Sequence, residues 1–335
     1  MRAALVAVAL LGAGLAGDAA SSPGAPIVAL VGGVPGATSS ALYLVTVGAH
    51  ELPSPMARFD HLPGAVLRAR VVGRDVLVVA DRTPARDLSW AAELVRIDDA
   101  GRVAVLCDRV MHASRPLVTA SGRVFVERGV AGPALEGRLR VDALTVEEIT
   151  VAGPRVVYSW SGYTTHLAGV TARGELLVYR VGPASGDLVA LDPDSGRVRE
   201  IAASIGSARD FSVEGDTLVF AQREAIVRVD LATGVRAAIA TTTSGHPAPH
   251  VWPGGRVAWN PDGDAGLAIV GGERVVARQG VDVVSAIARD GRHAALLHYA
   301  PEGGIPTPWL VRVSDGMSIP LPIAPGVRLE IGGIL

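Results

Sequence analysis

Three histidines and one aspartate in this sequence have the types and spacing that could hold a metal ion. His112, His166 and His250 each lie shortly before an apolar strand, and Asp210 has the corresponding place before another strand. Imidazole nitrogens and a carboxylate suit a divalent metal, which could lower the pKa of a substrate proton. The alternative is that these side chains are solvated or hydrogen-bonded residues of loops.

Other catalytic signatures are missing from the sequence. All 31 basic residues are arginine, which excludes mechanisms that need a lysine amine, such as Schiff bases. The G-x-S-x-G pattern of a serine hydrolase elbow does not occur. The H-x3-H spacing that ends at His250 fails as a metal motif, because Pro247 and Pro249 exclude a helix there. The single cysteine, Cys107, excludes an internal disulfide, and we expect it to be a small buried apolar residue.

The first 19 residues predict a secretory signal peptide. Arg2 gives a positive start, an apolar run extends to residue 17, and small residues at positions 17 and 19 precede a polar segment. The run is about 15 residues long, which is shorter than the ~20 that a helix needs to span a bilayer. We therefore expect an exported mature chain, in the periplasm or outside the cell, with no integral membrane segment.

Short apolar strands separated by glycine-containing turns recur along the body of the chain. The strand at 187–191 precedes a turn that ends at Gly196, and the strand at 225–229 precedes one that ends at Gly234. Gly196, Gly234 and Gly272 follow one another at a constant interval, and a second series of turn and strand runs in phase with the first. Two hairpins per repeat predict four strands per repeat in an all-β chain.

Four-stranded repeats of this length predict a β-propeller, whose blades are ~40–50 residues long. We expect one propeller domain over residues 20–335 with seven blades; six or eight stay open because residues 136–167 are irregular. The segment 326–331 is expected to pair with strands at 27–31 and 41–47, closing the ring and removing exposed sheet edges. The turns assigned to the seven blades lie near residues 50, 101, 144, 196, 234, 272 and 316.

The repeat resembles the TolB-like or PD40 (WD40-like) group of β-propellers, whose blades carry a turn of the Pro-Asp-Gly type before an apolar strand. Residues 252–255 (Trp-Pro-Gly-Gly) and 289–291 (Arg-Asp-Gly) approximate this motif, and the other repeats keep only the glycine and the strand. The resemblance covers most of residues 60–320. It implies the fold but no particular activity, because the motif residues shape hairpins.

The combined features favour an exported, non-catalytic propeller that binds a protein or small ligand through its loops, as a monomer without a resident cofactor. The net charge of -2 argues against a nucleic-acid partner. The residues expected at the mouth of the central channel are His112, His166, Asp210 and His250. The alternative is a metal-dependent lyase or hydrolase, with one divalent metal on His112, His166 and His250. A structural or sensory domain of a larger envelope assembly is the third reading.

Overall fold

A computed structural model describes the chain from residue 25 to its C-terminus. The ranges outside this description are 49–50, 83–91, 113, 132–140, 162–163, 183–184, 263–265, 270–274 and 277. The predicted signal peptide therefore lies outside the described residues. Within them the chain is all-β, as predicted, with 27 strands in antiparallel sheets and no helix. In this part of the chain there is consequently no helix with the length and apolarity of a membrane span.

The first sheet, which we call the terminal sheet, contains both ends of the described chain. Its strands are β1 (Ile27–Gly33), β2 (Ser39–Thr46), β3 (Pro55–Asp60) and β27 (Arg328–Ile334), in the order β27-β1-β2-β3. Residues of β27 pair antiparallel with β1, and β1 pairs with β2. The predicted pairing of the C-terminal strand with the strand at 27–31 is confirmed, whereas the strand at 41–47 pairs with β1 and not with β27.

The next sheet, the large sheet, joins two consecutive sets of four strands. The first set is β4 (Arg68–Val72), β5 (Asp75–Asp81), β6 (Ala92–Ile97) and β7 (Val103–Val110). The second is β8 (Leu117–Val118), β9 (Val124–Ala131), β10 (Val141–Thr150) and β11 (Gly153–Trp160). The two sets meet through one pair, Val110 with Arg128. The expected turn near residue 144 is wrong, because that position lies inside β10 and the chain turns at 151–152.

Four smaller sheets follow in chain order. One holds β12 (Thr164–Val170), β13 (Leu176–Val181), β14 (Gly186–Leu191) and β15 (Val198–Ala202). The next holds β16 (Ala208–Glu214), β17 (Thr217–Gln222), β18 (Ala225–Asp230) and β19 (Arg236–Thr241). A three-stranded sheet has β20 (His250–Trp252), β21 (Arg256–Trp259) and β22 (Ala268–Ile269). The last has β23 (Val281–Ile287), β24 (His293–Tyr299), β25 (Thr307–Arg312) and β26 (Ser318–Pro320).

Aspartate and glycine set the hairpins that the sequence pattern predicts. The carboxylates of Asp192 and Asp230 each accept backbone N–H groups two residues further along, at 3.0 Å in both turns. Gly196 and Gly234 then have φ values of +71° and +75°, a region in which a side chain would be strained. These residues therefore shape turns.

The core lies between successive sheets. The middle strands are apolar on both faces, and residues 76–80 of β5 are all buried. Leu30 and Val28 of the terminal sheet pack with residues of β23 to β25, whereas Ala29 and Val31 pack with the large sheet. Cys107 is buried in the cluster around Leu94, and burial raises the pKa of its thiol to about 12. Its predicted role as a small apolar residue is confirmed.

One edge strand of each set packs against the corresponding edge strand of the next set. We call these the central strands, and they pack against one another in the order β23, β27, β4, β8, β12, β16, β20. The three-stranded sheet is fixed to β23 by the buried amide of Asn260. Its Oδ1 accepts the N–H of Asp282 at 3.0 Å, and its Nδ2 donates to the Asp282 carbonyl at 2.9 Å.

The side chain of Asp282 is the centre of a buried cluster, the Asp282 cluster. Its Oδ1 accepts hydrogen bonds from Arg278 and, at 3.0 Å, from Nδ1 of His298. The Arg278 guanidinium lies 4.2 Å from the centre of the Trp309 ring. One guanidinium therefore meets one carboxylate, and the pair fixes β23 to its neighbours.

Candidate functional site

His112 lies between β7 and β8, and its Nδ1 is 2.8 Å from Oδ2 of Asp81 at the end of β5. The Asp81 side chain is buried, and its Oδ1 has no hydrogen-bond partner among the described residues. A carboxylate at Nδ1 leaves Nε2 of His112 as the outward nitrogen. The contact joins the approach to β8 to the set of strands before it.

His166 and Asp210 lie inside strands β12 and β16, so the expectation that they precede these strands is wrong. The His166 ring stacks on Tyr179, with ring centres 6.2 Å apart, and burial lowers the pKa of His166. Asp210 has a φ of +57°, and burial raises the pKa of its carboxyl against the opposing effect of Arg209. Each side chain therefore has a local environment of its own.

His250 is the first residue of β20 and not a residue before it. Its Nδ1 is 2.8 Å from the Val251 carbonyl, so Nδ1 carries the proton and Nε2 is an acceptor. Burial lowers the pKa of His250 to about 4, and the charges of Arg115 and Arg70 add to this effect. The imidazole is therefore neutral at pH 7 and lies close to two arginines.

The histidines have separate partners in the described part of the chain. No three His, Cys, Asp or Glu side chains among the described residues are placed to share a metal ion. The shared metal on His112, His166 and His250 therefore stays a prediction, and none of the contacts above favours it. The structure instead groups His250 with charged side chains that the sequence pattern did not single out.

Arg115 connects three of the central strands. It precedes β8, yet it donates to the carboxylate of Glu330 in β27 and to the Ser285 carbonyl in β23, the latter at 3.4 Å. Arg68 at the start of β4 approaches the same carboxylate, with Nη1 3.6 Å from Oε2 of Glu330. The Glu330 side chain is 8% exposed, so this is a sheltered carboxylate with two cationic neighbours.

Arg70, two residues along β4 from Arg68, adds a third guanidinium to this group. It has no hydrogen-bond or ion-pair partner among the described residues. Burial lowers the pKa of Arg70, and the charge of Arg115 lowers it further. We call Arg68, Arg70, Arg115, His250 and Glu330 the central arginine site. Within it, Arg68 and Arg115 share the Glu330 carboxylate, and Arg70 lies near Arg115 and the neutral His250, which leaves a surplus of positive charge.

A small cavity adjoins this site. It has a volume of about 120 Å³, and Ser40, His61, Arg68 and Glu330 are among its lining residues. The Ser40 hydroxyl donates to Nε2 of His61 at 2.8 Å, because Nδ1 of His61 donates to the Leu62 carbonyl. A serine, a base and a group that orients the base have the arrangement of an activated nucleophile. Here the Leu62 backbone carbonyl, and not a carboxylate, orients the His61 base.

The sequence held signals for the residues that were missed. Arg68 and Arg70 are two positions apart in β4 and therefore share one face of the strand. A buried strand would ordinarily carry apolar side chains there. Glu330 interrupts an apolar strand between Leu329 and Ile331. Charged residues inside buried strands are rare unless they are paired or functional.

Searches for related proteins find structural neighbours only. No family model matches the chain, and no curated protein matches it. TolB from Acinetobacter baumannii is 12% identical, with a TM-score of 0.54, over 92% of this chain and 67% of that chain. AztD from Citrobacter koseri, in its apo form, is 10% identical, with a TM-score of 0.51, over 92% of this chain and 98% of that chain.

The fold is a TolB-like β-propeller.

A prolyl endopeptidase shares this fold, with 17% identity and a TM-score of 0.61, over 91% of this chain. The present chain covers only 50% of that enzyme. At such identities the likeness concerns the propeller fold alone, and the function of this propeller has to be argued from its own side chains.

Proposed function

We propose that this chain is an exported, non-catalytic β-propeller that binds a small ligand or protein at the centre of its blades. The terminal sheet, the two halves of the large sheet and the four smaller sheets would form seven blades. Pairing of β27 with β1 would close the ring. Export to the periplasm or beyond would follow from the signal peptide predicted in residues 1–19.

The observation that carries the binding role is the central arginine site. A folded protein rarely keeps an unpaired charge in a sheltered position, because desolvation costs energy that a partner has to offset. Arg70 has no such partner among the described residues, and Nε2 of the neutral His250 is an unused acceptor. Both are placed where the central strands converge, which is where propellers and other closed folds present ligands.

A ligand panel tests this role. Thermal unfolding of the mature chain would be followed with peptides, neutral sugars, divalent metals and small anions, at constant ionic strength. Central binding predicts at least one class that raises the unfolding temperature of the wild type and loses this effect when Arg70 is replaced. If every stabilising compound acts equally on wild type and R70Q, binding is elsewhere and the proposal is wrong.

A second candidate function rests on Ser40 and His61. Their hydrogen bond could support acyl transfer, in which Ser40 attacks a carbonyl carbon while His61 takes its proton, and His61 then gives the proton to the leaving group as its bond to that carbon breaks. The cavity beside them is small, since ligand pockets are typically 300–1,000 Å³. We therefore place this function second. Labelling by a fluorophosphonate probe that is lost in S40A would establish it, and an unlabelled wild type would exclude such a nucleophile.

A further inference from the structure

The positive charge at the centre of the propeller is larger than a structural ion pair needs. Glu330 is shared between Arg115 and Arg68, so its carboxylate is already engaged by two guanidinium groups. Arg70 is left without an anionic partner among the described residues. Two cations that lie close together in a sheltered site repel each other, and an anion between them removes that repulsion.

We propose that the central arginine site binds a ligand through an oxyanion group, a carboxylate or a phosphate, held between the guanidinium groups of Arg70 and Arg115. This inference rests on the proposed binding role and names the chemical class of the ligand. The planar fork of a guanidinium matches two oxygens of a carboxylate or phosphate. The whole guanidinium group of Arg70 is available to a ligand, whereas Arg115 is held against β23 and β27 by Ser285 and Glu330.

The contacts of Arg115 make it a pre-positioned ligand group. Its anchors lie on β23 and β27, and its own backbone precedes β8, so three central strands determine its place. A group that is already ordered loses little conformational entropy when a ligand arrives. Arg70 is placed by the regular pairing of β4 with β5, where it is opposite Leu77. Arg70 is therefore carried by a paired strand, and Arg115, in the loop before β8, is held by its contacts to two other strands.

The local polarity argues for an anion over a metal ion. A cation would meet the field of three guanidinium groups, and the one carboxylate present is engaged by two of them. The neutral His250 adds an acceptor at Nε2, which suits a hydroxyl or N–H donor next to the oxyanion.

Calorimetric titration tests the proposal with inorganic phosphate and with succinate as probes. The full mature chain would be titrated at constant ionic strength set by chloride, as wild type, R70Q and the control R236Q. Arg236 is exposed on β19, an outer strand, so R236Q makes the same change of charge away from the centre. Because R70Q loses one charge-assisted contact, it should bind the anion roughly 10- to 100-fold more weakly than the wild type. R236Q should bind the anion as tightly as the wild type does.

The two probes distinguish the sources of the oxyanion. Binding of phosphate alone assigns a phosphate group, binding of succinate alone assigns a carboxylate, and binding of both assigns the shared chemistry. If neither binds, or if both bind R70Q as tightly as the wild type, the proposal is overturned. If R70Q abolished the binding of a neutral ligand instead, the assignment of an oxyanion ligand would be wrong, but the proposed binding role would stand.

Chemical modification keeps the test valid if R70Q does not fold. Phenylglyoxal reacts with accessible guanidinium groups, and peptide mass spectrometry reports which arginines are modified. In the wild type, phosphate or succinate should slow the modification of Arg70 and leave that of Arg236 unchanged. Equal rates at Arg70 with and without both anions would contradict the proposed site.

Discussion

Two clusters of arginine and carboxylate in this propeller use the same residue types for different ends. In the Asp282 cluster, the charges of Arg278 and the fully buried Asp282 balance each other, and His298 and Asn260 add hydrogen bonds to Asp282. In the central arginine site, Glu330 is outnumbered by guanidinium groups, and Arg70 stays unpaired among the described residues. A balanced cluster stabilises the fold, whereas a surplus of one sign leaves binding capacity for a ligand of the opposite sign.

The largest expected effect on stability is in the Asp282 cluster. D282A should lower the free energy of unfolding by about 3–5 kcal/mol, because it leaves Arg278 buried without its carboxylate. Urea unfolding measures this loss. The matched control is D315A, in an exposed ion pair with Arg312, which should cost far less because solvent screens that pair. If the two substitutions cost the same, the Asp282 cluster is not a stabilising element.

Substitution of Glu330 tests the central arginine site. E330Q should lower the free energy of unfolding by about 1–3 kcal/mol in the absence of anions, because Arg115 and Arg68 lose their shared carboxylate. It should also strengthen phosphate or succinate binding, since the positive field increases. The exposed Glu200 on β15 provides the control, E200Q, which should change neither quantity. Glutamine keeps an acceptor oxygen for Arg115, so weaker anion binding by E330Q would contradict the assigned polarity.

The buried carboxyl of Glu127 in β9 predicts a smaller effect on the free energy of unfolding, and this effect depends on pH. It accepts hydrogen bonds from the Ser114 hydroxyl at 2.5 Å and the Leu167 N–H at 2.6 Å, yet burial raises its pKa to about 7. Between pH 4.5 and 7 the folded state therefore holds a proton that the unfolded state has lost. This contribution to stability is complete below pH 4.5 and is lost as pH rises through 7.

Substituting glutamine for Glu127 removes the titration. The free energy of unfolding of E127Q relative to wild type should rise by up to ~3 kcal/mol between pH 4.5 and 7. Urea unfolding at several pH values checks this trend. His250 acts in the opposite direction in both proteins, because its folded pKa of about 4 makes stability fall as pH drops below 6.5. A constant difference between the two proteins across this range would contradict the burial of an ionisable Glu127.

Much of the architecture follows from the sequence. The aspartate and glycine turns at 192–196 and 230–234 and the pairing of β27 with β1 are local or periodic features, which a sequence pattern carries directly. The turn expected near residue 144 failed because β10, at 10 residues, is longer than its neighbours in the large sheet and covers that position.

The candidate site was harder to predict. His250 was identified from its residue type, but Arg115 and Glu330 of the same site are 215 positions apart in the chain and meet only through the arrangement of the central strands. Repeat position alone suggested that His112, His166 and His250 converge. Small differences between repeats instead give each ring its own partner: Asp81, Tyr179 and the Val251 carbonyl.

The measurement that tests the central arginine site most directly is the pKa of His250 by NMR, with and without saturating phosphate or succinate. Arg115 and Arg70 help to hold this pKa at about 4, so an oxyanion between them should raise it by neutralising their field. R70Q should raise the pKa of His250 without an anion and remove the further rise when an anion is added. An unchanged pKa in wild type under conditions where titration shows saturation would mean that the anion binds elsewhere.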